Sequence, residues 1–494
     1  MPPSTRVGFL ALFLGAAVSA RADTVVFRTG ERLRGTVVTE QPGSIRFDTE
    51  ALGPIDIPRE RIAQVERDTA PAAISAPTAP AGPVPVAATP EAATRSRDFL
   101  RFYTDHGVKY EFVQPVSLPN PLDHKTKVIK ESIAVRGRLG IKASFDVAAF
   151  DSSKGQQEVG SDAEVRTLRL YTTGDLGLLR TNHFTVDLGW AGREFYLHDA
   201  NIRYPDVPYA GAVTIGYLSV PQTLANVIGF GASAFMEASS PAQAFSPGER
   251  IGIQLDRTYL SERMTAAVGL FSIGQDPSAN FGDATDALAR PTARLTGLLW
   301  DNPDLHQRFH LGGSASFVFS DSSSIRYNAR PESHLAPVLA DTGEIAAQFA
   351  YIGGMEAIYQ NGPFSLQSEV VLSTVDASTH HRFWGAYASA SWCLTGESRG
   401  YSRTEGVQLR LVPATPFRFN GPGWGALELA LRYSYLDLAD QTIDGGRMRV
   451  IMPALNWYWN EHVRWQFNCG FSRVEGGPSP GDLGILQTRL QVRF

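Results

Sequence analysis

The sequence predicts an all-β protein whose larger part is an antiparallel β-barrel that spans a membrane. Three observations support this fold class. The 494 residues include 46 glycines, 16 tyrosines and 27 phenylalanines, which suits strands and turns. Strand-length segments alternate between apolar and polar side chains, as strands with two unlike faces do. The uncharged stretch from Val207 to Met236 is broken by prolines and glycines, so a closed barrel is favoured over a membrane-spanning helix.

Residues 1–22 are predicted to be an export signal. Arg6 precedes the apolar run VGFLALFLGAAVSA, and Ala20, Arg21 and Ala22 form a small-x-small cleavage pattern before Asp23. Export, few cysteines and many aromatic residues indicate the envelope of a double-membrane bacterium. We therefore expect the mature chain in the outer membrane of a Gram-negative-type cell, with outer-membrane lipid as one partner.

Residues 23–68 are predicted to form a small β domain. Four or five short strands are expected, at Thr24–Arg28, Arg32–Thr39, Ser44–Thr49, Gly53–Ile57 and Ile62–Glu66. Turn signals such as Thr29-Gly30 and Gln41-Pro42-Gly43 separate them. This pattern resembles the small SH3-like or Sm-like barrels. Residues 69–97 form a proline- and alanine-rich linker that is poorly able to bury a core. Its place before an even-stranded barrel predicts a periplasmic location for the small domain.

Residues 98–494 are predicted to form the barrel, with no helical periodicity. In GALELALRYSYLDL, Leu429, Leu431 and Tyr433 share one face, and the polar side chains share the other. HVRWQFNCGFSR and the final segment ILQTRLQVRF show the same alternation. Apolar side chains facing lipid and polar side chains facing a lumen produce this pattern. We expect the segment ending at Phe494 to be the strand that closes the barrel.

Several stretches of the barrel region match one family in order. GMEAIYQNGPFSLQSEVVLSTV, SWCLTGESRGY and LNWYWNEHVRWQFNCGFSRVE, followed by LQTRLQVRF, resemble segments of the phosphate-selective porin family of the O/P type. The resemblance extends over most of residues 130–494. It implies an outer-membrane homotrimer with 16 strands per subunit. It also implies a water-filled channel for small solutes, with inorganic anions such as phosphate carried along a ladder of basic residues.

The resemblance and the strand alternation together predict ten arginines as pore-lining residues. They are Arg166, Arg169, Arg203, Arg326, Arg330, Arg410, Arg432, Arg464, Arg489 and Arg493. Arg166 matches the first of two adjacent arginines in the family, and the second is replaced here by Thr167. Alternation places Arg169 on the opposite strand face from Arg166. A surface or periplasm-facing charge is the competing interpretation for each of the ten.

The chain departs from the family pattern at several basic positions. Thr214 and Tyr217 stand where the family offers lysine and arginine, and Leu372 and Ser373 stand at a second such place. Tight phosphate binding requires several converging charged donors. Two alternatives therefore stay open: a non-selective porin, or a structural barrel tethered to the periplasm or cell wall. Peptidoglycan or a periplasmic protein would then be the partner of the N-terminal domain.

Other classes of function lack support in the sequence. The net charge of -5 offers no overall basic field for nucleic acid. HExxH is absent from the sequence, and its one GxSxG match, GPSPG at 477–481, lies in a proline- and glycine-rich turn. We therefore expect a non-enzyme without a metal or cofactor. Cys393 and Cys469 lack a CxxC spacing and fall on opposite strand faces, so we expect no disulfide between them.

Overall fold

The computed structural model describes residues 23–27, 32–40, 44–49, 53–59, 62–66, 100–104, 108–115, 118–119, 126–127, 132–152, 160–176, 182–191, 194–272, 288–320 and 324–494. The chain divides into two compact units, residues 1–94 and 95–494. The predicted export signal and the predicted linker lie outside the described residues.

The first unit contains one antiparallel sheet of five strands. They are β1 (Asp23–Phe27), β2 (Arg32–Glu40), β3 (Ser44–Thr49), β4 (Gly53–Pro58) and β5 (Ile62–Glu66). Their order across the sheet is β4-β3-β2-β1-β5, and Ile45 and Ile62 are buried. The five strands begin and end within one residue of the bounds expected from turn signals. The similarity to SH3-like or Sm-like barrels stays a prediction.

The second unit is a closed antiparallel barrel of sixteen strands, as predicted. Its strands are β10 (Ser132–Ser152), β11 (Asp162–Leu176), β12 (Asn182–Ala191), β13 (Glu194–Val207), β14 (Gly211–Ser219), β15 (Glu249–Tyr259), β16 (Met264–Ser272), β17 (Leu288–Asn302), β18 (Gln307–Phe319), β23 (Phe349–Asn361), β24 (Phe364–Asp376), β25 (His380–Cys393), β28 (Ala426–Asp440), β29 (Ile443–Tyr458), β30 (Val463–Glu475) and β31 (Gly481–Arg493). Each pairs with its neighbours in this order. Closure leaves no open edge between β10 and β31.

Short elements accompany the barrel. A hairpin of β6 (Leu100–Thr104) and β7 (Val108–Pro115) covers the first half of β10, from Ser132 to Leu139. The remaining two-residue strands are β8 (Leu118–Pro119), β9 (Thr126–Lys127), β19 (Ser324–Ile325), β20 (Asn328–Ala329), β21 (Ala340–Asp341), β22 (Ile345–Ala346), β26 (Tyr401–Ser402) and β27 (Val407–Gln408). The hairpin therefore protects the part of β10 that β31 does not reach.

The barrel closes where the sequence predicted. β31 pairs with the second half of β10, with Arg493 opposite Lys142. Phe494 continues this pairing, because its amide donates to the Ile141 carbonyl at 2.8 Å and its carbonyl accepts from the Ile141 amide at 3.2 Å. The Phe494 ring also stacks on His462, with 5.2 Å between ring centroids. The final segment is thus the closing strand.

The two faces of the wall differ as expected for a barrel in lipid. Along β28, Leu429, Leu431 and Tyr433 are exposed on the outer face, while Glu428 and Arg432 are buried on the inner face. β25, β30 and β31 repeat this pattern. The two cysteines are free, with Cys393 buried and Cys469 exposed, in agreement with the expectation of no disulfide.

Aromatic side chains gather near the end of the wall where the chain finishes. Phe417 packs edge-on against Trp457 and Phe419, with both ring centroids 4.9 Å away, and Trp459 and Trp465 extend the cluster. Aromatic girdles are typical of the interfaces that flank the apolar band of such barrels. The position supports the orientation of this end at a membrane surface.

Three long connections fold into the barrel, the third of them as far as Leu411, after which Phe417 and Phe419 join the aromatic cluster at the barrel end. We name them the first inner loop (residues 220–248), the second inner loop (320–348) and the third inner loop (394–425). Because consecutive strands are antiparallel, the first two leave from one end of the barrel, and the third leaves from the end where Phe494 lies. Phe245, Tyr327 and Leu339 pack with Phe383 of the inner wall in one buried cluster. Apolar packing therefore holds the first two loops inside.

The expectation of no helix in the barrel region was wrong for the first inner loop. It contains α1 (Leu224–Ala232) and α2 (Ser240–Phe245). The hydroxyl of Thr223 accepts a hydrogen bond from the Asn226 amide, and Ser239 caps α2 in the same way. Such caps stabilise short helices that have little periodicity of their own. Among the described residues, no helix has both the length and the apolar character needed to cross a membrane.

Candidate functional site

A cavity of about 660 Å³ lies inside the barrel, between the first inner loop and the inner surface of the wall. Seven cationic side chains line it: Lys142, Arg166, Arg169, Arg399, Arg432, Arg489 and Arg493. Among the described residues that line it, one carboxylate is found, that of Glu249. Hydroxyl and amide groups from β24 and β25 complete the lining. The surface presented to a solute is therefore basic.

The structure brings together most of the predicted arginines. Arg166, Arg169, Arg432, Arg489 and Arg493 line the cavity. Arg410 and Arg464 lie beside it, and both guanidiniums donate to the Gln491 amide oxygen, at 3.1 and 3.0 Å. Three of the ten lie elsewhere, as the following contacts show.

Arg203 lies on the inner wall away from the cavity lining. Its guanidinium donates to the Asp256 carboxylate at 2.5 and 2.6 Å and to the Thr214 hydroxyl at 3.1 Å. Arg326 and Arg330 lie in the second inner loop, where a loop position was expected. Arg326 is paired with Asp341, and Arg330 donates to a carbonyl of its own loop.

Arg169 does not lie on the opposite face from Arg166, so that expectation was wrong. Ser144 of β10 pairs with Thr167, whereas Phe145 pairs with Val165, so Arg166 is an extra residue in the ladder. A bulge of this kind resets the alternation by one position. Both Arg166 and Arg169 therefore reach the cavity.

Arg410 faces inward, as expected, although no barrel strand carries it. It follows β27 in the third inner loop and is buried. Burial lowers its pKa to about 9, and the neighbouring Arg464 and Arg493 act in the same direction. Among the described residues, neither Arg410 nor Arg493 makes an ion pair with a carboxylate. This corner of the lumen therefore carries uncompensated positive charge.

Behind the cationic surface lies a layer of carboxylates. Glu237 accepts from Arg166 at 3.0 and 3.3 Å and from Arg489 at 2.6 Å. Asp146 accepts from Arg489 through two hydrogen bonds of 2.7 Å. Arg489, Asp146 and Glu237 are all buried, with side chains 2%, 5% and 8% exposed. This paired cluster fixes the first inner loop to β10, β11 and β31.

The same arginines hold the backbone of the first inner loop. Five carbonyls between Ala232 and Glu237 accept hydrogen bonds from side chains of the wall and the third inner loop. The pairs are Arg399–Ala232 (2.6 Å), Arg464–Ser233 (2.7 Å), Asn456–Ala234 (2.8 Å), Arg489–Met236 and Arg432–Glu237 (3.0 Å). At the start of α1, the Glu369 carboxylate accepts from the Leu224 amide at 2.8 Å. Much of the predicted arginine ladder is therefore engaged in positioning this loop.

The second and third inner loops are held in a similar way. Glu332 pairs with Arg432 and also accepts from the Ser240 amide at 3.0 Å. Arg399 pairs with Glu428 through hydrogen bonds of 2.8 to 3.0 Å. Because both loops contact the first inner loop or its anchors, all three narrow the lumen together.

Four positions carry a non-basic residue where the family pattern has a basic one, and the structure shows what these residues contact. Thr214 accepts from Arg203, and Tyr217 is buried in β14. Ser373 bonds to the Tyr327 hydroxyl at 2.8 Å, whereas Leu372 is 59% exposed on the outer face. None of the four adds a cation to the lumen.

Sequence reasoning missed the carboxylates and two of the cations, Lys142 and Arg399. For Glu237 a signal existed, because it is the only charged residue of the sequence between Val207 and Gly248. An isolated charge in a long uncharged stretch often needs a buried partner. For Glu332 and Asp146 no comparable signal exists, since their partners come from distant segments.

One cluster has the composition of a metal site. Ligand atoms of Asp187, His198 and Asp199 lie within 4.8 Å of one another. The Asp187 carboxylate, however, accepts from Arg169 at 2.6 Å and from Lys142 at 3.2 Å. We therefore assign Asp187 to ion pairing with these two cations.

The pairing of Glu237 predicts a specific pH dependence. Burial opposes its ionisation, but Arg166 and Arg489 outweigh burial and lower its pKa from 4.5 to about 2. A lowered folded-state pKa contributes stability above the unfolded value, and this contribution is lost as pH falls through the folded value. We expect the difference in urea midpoint between wild type and Glu237→Gln to be constant above pH 4.5 and to shrink between pH 4.5 and 2. Glu262→Gln, in an exposed turn, is the control, and a pH-independent difference for Glu237→Gln would contradict the assignment.

Comparisons with known proteins identify one family and several distant similarities. Residues 137–494 match the family described as phosphate-selective porin O and P. A protein of Caulobacter vibrioides described as uncharacterized is 29% identical over 379 residues, covering 74% of each chain. The anion-selective porin from Comamonas acidovorans has 13% identity and a TM-score of 0.45, covering 72% of this chain and 99% of that one. The outer membrane channel DcaP of Acinetobacter baumannii has 9% identity and a TM-score of 0.46, covering 73% and 97%.

Proposed function

The chain belongs to the phosphate-selective porin O and P family of outer-membrane channels, and from this premise we propose that it is a passive, anion-preferring channel without a tight phosphate site. The observation that carries the proposal is the composition of the cavity surface, where seven cations face one carboxylate. A lumen lined by one sign of charge favours solutes of the opposite sign.

The balance of charge behind the cavity surface indicates that phosphate binds weakly. The seven lining cations are accompanied by five carboxylates that are paired with them: Asp146, Asp187, Glu237, Glu332 and Glu428. Two positive charges remain in this set, and one remains when Glu249 of the lining is also counted. Tight binding of phosphate would need several uncompensated donors converging on one point. Phosphate would therefore pass as one small anion among others.

The proposal predicts the sign of the zero-current potential in a planar bilayer. Under a potassium chloride gradient, the dilute side becomes negative because chloride crosses faster than potassium. Arg493→Gln moves the potential toward zero, since Arg493 lines the cavity without an ion pair to any described carboxylate. Arg257→Gln, on the exposed outer side of β15, leaves the potential unchanged. A dilute side that becomes positive in the wild type would overturn the proposal.

We further propose that three copies assemble and that residues 23–68 lie in the periplasm. The resemblance to the family supports the trimer. The even number of strands supports the periplasmic side, because β10 begins at the barrel end where β31 finishes. This domain could bind peptidoglycan or a periplasmic protein. Native mass spectrometry tests the trimer, which a monomer would contradict. Co-sedimentation of the full chain with peptidoglycan sacculi tests the tether, which a chain left in the supernatant would contradict.

A further inference from the structure

The cavity has two unlike walls. On the side of the barrel wall, the lining is made of guanidinium groups, such as those of Arg166, Arg169 and Arg432, and of the Tyr196 and Tyr387 side chains. On the side of the first inner loop, the lining is largely apolar. The apolar part comprises Ala225, Val227, Ile228, Gly229, Gly231, Ala232, Ala234, Phe235, Ala238, Ala242 and Gly248. The polar part comprises Asn226, Ser233, Ser239, Gln243 and Ser246.

The packing of the loop does not require this apolar lining. Leu224 is fully buried against Ile358 and Val407, so it secures α1 to the wall and the third inner loop. Val227 and Ile228 pack against the edge of that cluster and are half-buried, leaving part of each side chain at the cavity. A hydrated inorganic anion gains nothing from such groups, since aliphatic side chains cannot replace its water.

Cation and apolar surface meet directly at one place. The Arg432 guanidinium lies over the Phe235 ring at 4.2 Å, while its Nε donates to Glu332 at 2.9 Å. A solute that presents an anionic group to the arginines would lay the rest of its body along residues 225–235. The cavity volume of about 660 Å³ falls within the range of sites that enclose small organic molecules.

We propose that the cavity favours organic monocarboxylates with an apolar body, such as aromatic acids, over small hydrophilic anions. The carboxylate would contact the guanidinium side, and the apolar body would contact Val227 and Ile228. The small net positive charge of the lining suits a single negative charge. This inference rests on the proposed function as an anion channel and names its class of solute.

The test compares benzoate with acetate by bi-ionic reversal potentials, using the full-length protein in planar bilayers with chloride as the reference anion. Size alone would make acetate the more permeant of the two. The inference predicts a benzoate-to-acetate permeability ratio above one. Val227→Thr, which replaces one methyl group with a hydroxyl at constant shape, is expected to lower the ratio about two- to four-fold. Protein-free bilayers correct for leakage through lipid.

Val370→Thr is the matched control, because Val370 lies on the outer face and is 42% exposed. It should leave the ratio unchanged. Two results would overturn the inference. The wild type could conduct chloride with a benzoate-to-acetate permeability ratio below one, or Val227→Thr could leave this ratio unchanged. In both cases the proposed function as an anion channel would still hold. Well-folded protein that forms no channels would overturn the proposed function, and this inference with it.

Discussion

Replacing Arg489 with alanine is expected to lower the free energy of unfolding by about 3–5 kcal/mol, because it leaves the buried Asp146 carboxylate without its cation and the buried Glu237 carboxylate with Arg166 alone. Arg489 joins Asp146 of the wall to Glu237 of the first inner loop, and it also donates to the Met236 carbonyl. The arginine side chain is 2% exposed. Its removal would therefore loosen the loop as well as destabilise β31.

Urea unfolding, followed by tryptophan fluorescence and by gel mobility, measures this effect. Arg473→Ala is the matched control, since Arg473 also pairs with one carboxylate through two hydrogen bonds, both of 2.8 Å to Asp482. That pair is exposed to solvent, so its loss should leave the urea midpoint unchanged. Equal midpoints for Arg489→Ala and wild type would show that the loop is not held by this cluster.

Replacing Gly231 with phenylalanine is expected to lower single-channel conductance by about two-fold or more, because the new ring would occupy the constriction. Gly231 lines the cavity, and a Cβ added there would meet no atom within 4 Å. The Cβ of the new side chain therefore introduces no clash, and its ring extends into the cavity volume. The fold should stay intact while the open cross-section falls.

Gly353→Phe provides the control for this experiment. A Cβ at Gly353 also meets no atom within 4 Å, but this residue lies on the outer face of β23, beside Leu372. Its added ring would enter lipid, and the conductance should equal that of the wild type. If Gly231→Phe conducted as well as Gly353→Phe, the cavity would not be the conduction path.

The barrel could be predicted from the sequence because strand faces are set locally. The inner and outer faces of β25, β28, β30 and β31 follow from alternation alone, since each strand has one lipid-facing and one lumen-facing side. The same logic failed at Arg166, because a bulge adds one residue without leaving a trace in the pattern. It also gave no sign that Arg410 lies in an inward-folded loop.

The candidate site was harder to predict because its chemistry depends on distant partners. The arginines could be found one by one, but the charge that each presents to the lumen depends on carboxylates and carbonyls from the inner loops. Arg489 and Glu237, for example, are separated by 252 positions. A list of inward arginines suggests a strongly positive ladder, whereas carboxylates of the wall (Asp146, Asp187 and Glu428) and of the inner loops (Glu237 and Glu332) neutralise most of it. The sequence therefore predicts the presence of cations better than the net field they produce.

The most direct test of this account is a titration of phosphate into chloride solution during single-channel recording. If the lumen arginines are engaged by carboxylates and loop carbonyls, phosphate will reduce the chloride current only when its concentration approaches that of chloride. Current steps will then stay anion-selective throughout. Block of the current by phosphate at concentrations far below that of chloride would contradict the account, because it would require a converging set of free donors inside the cavity.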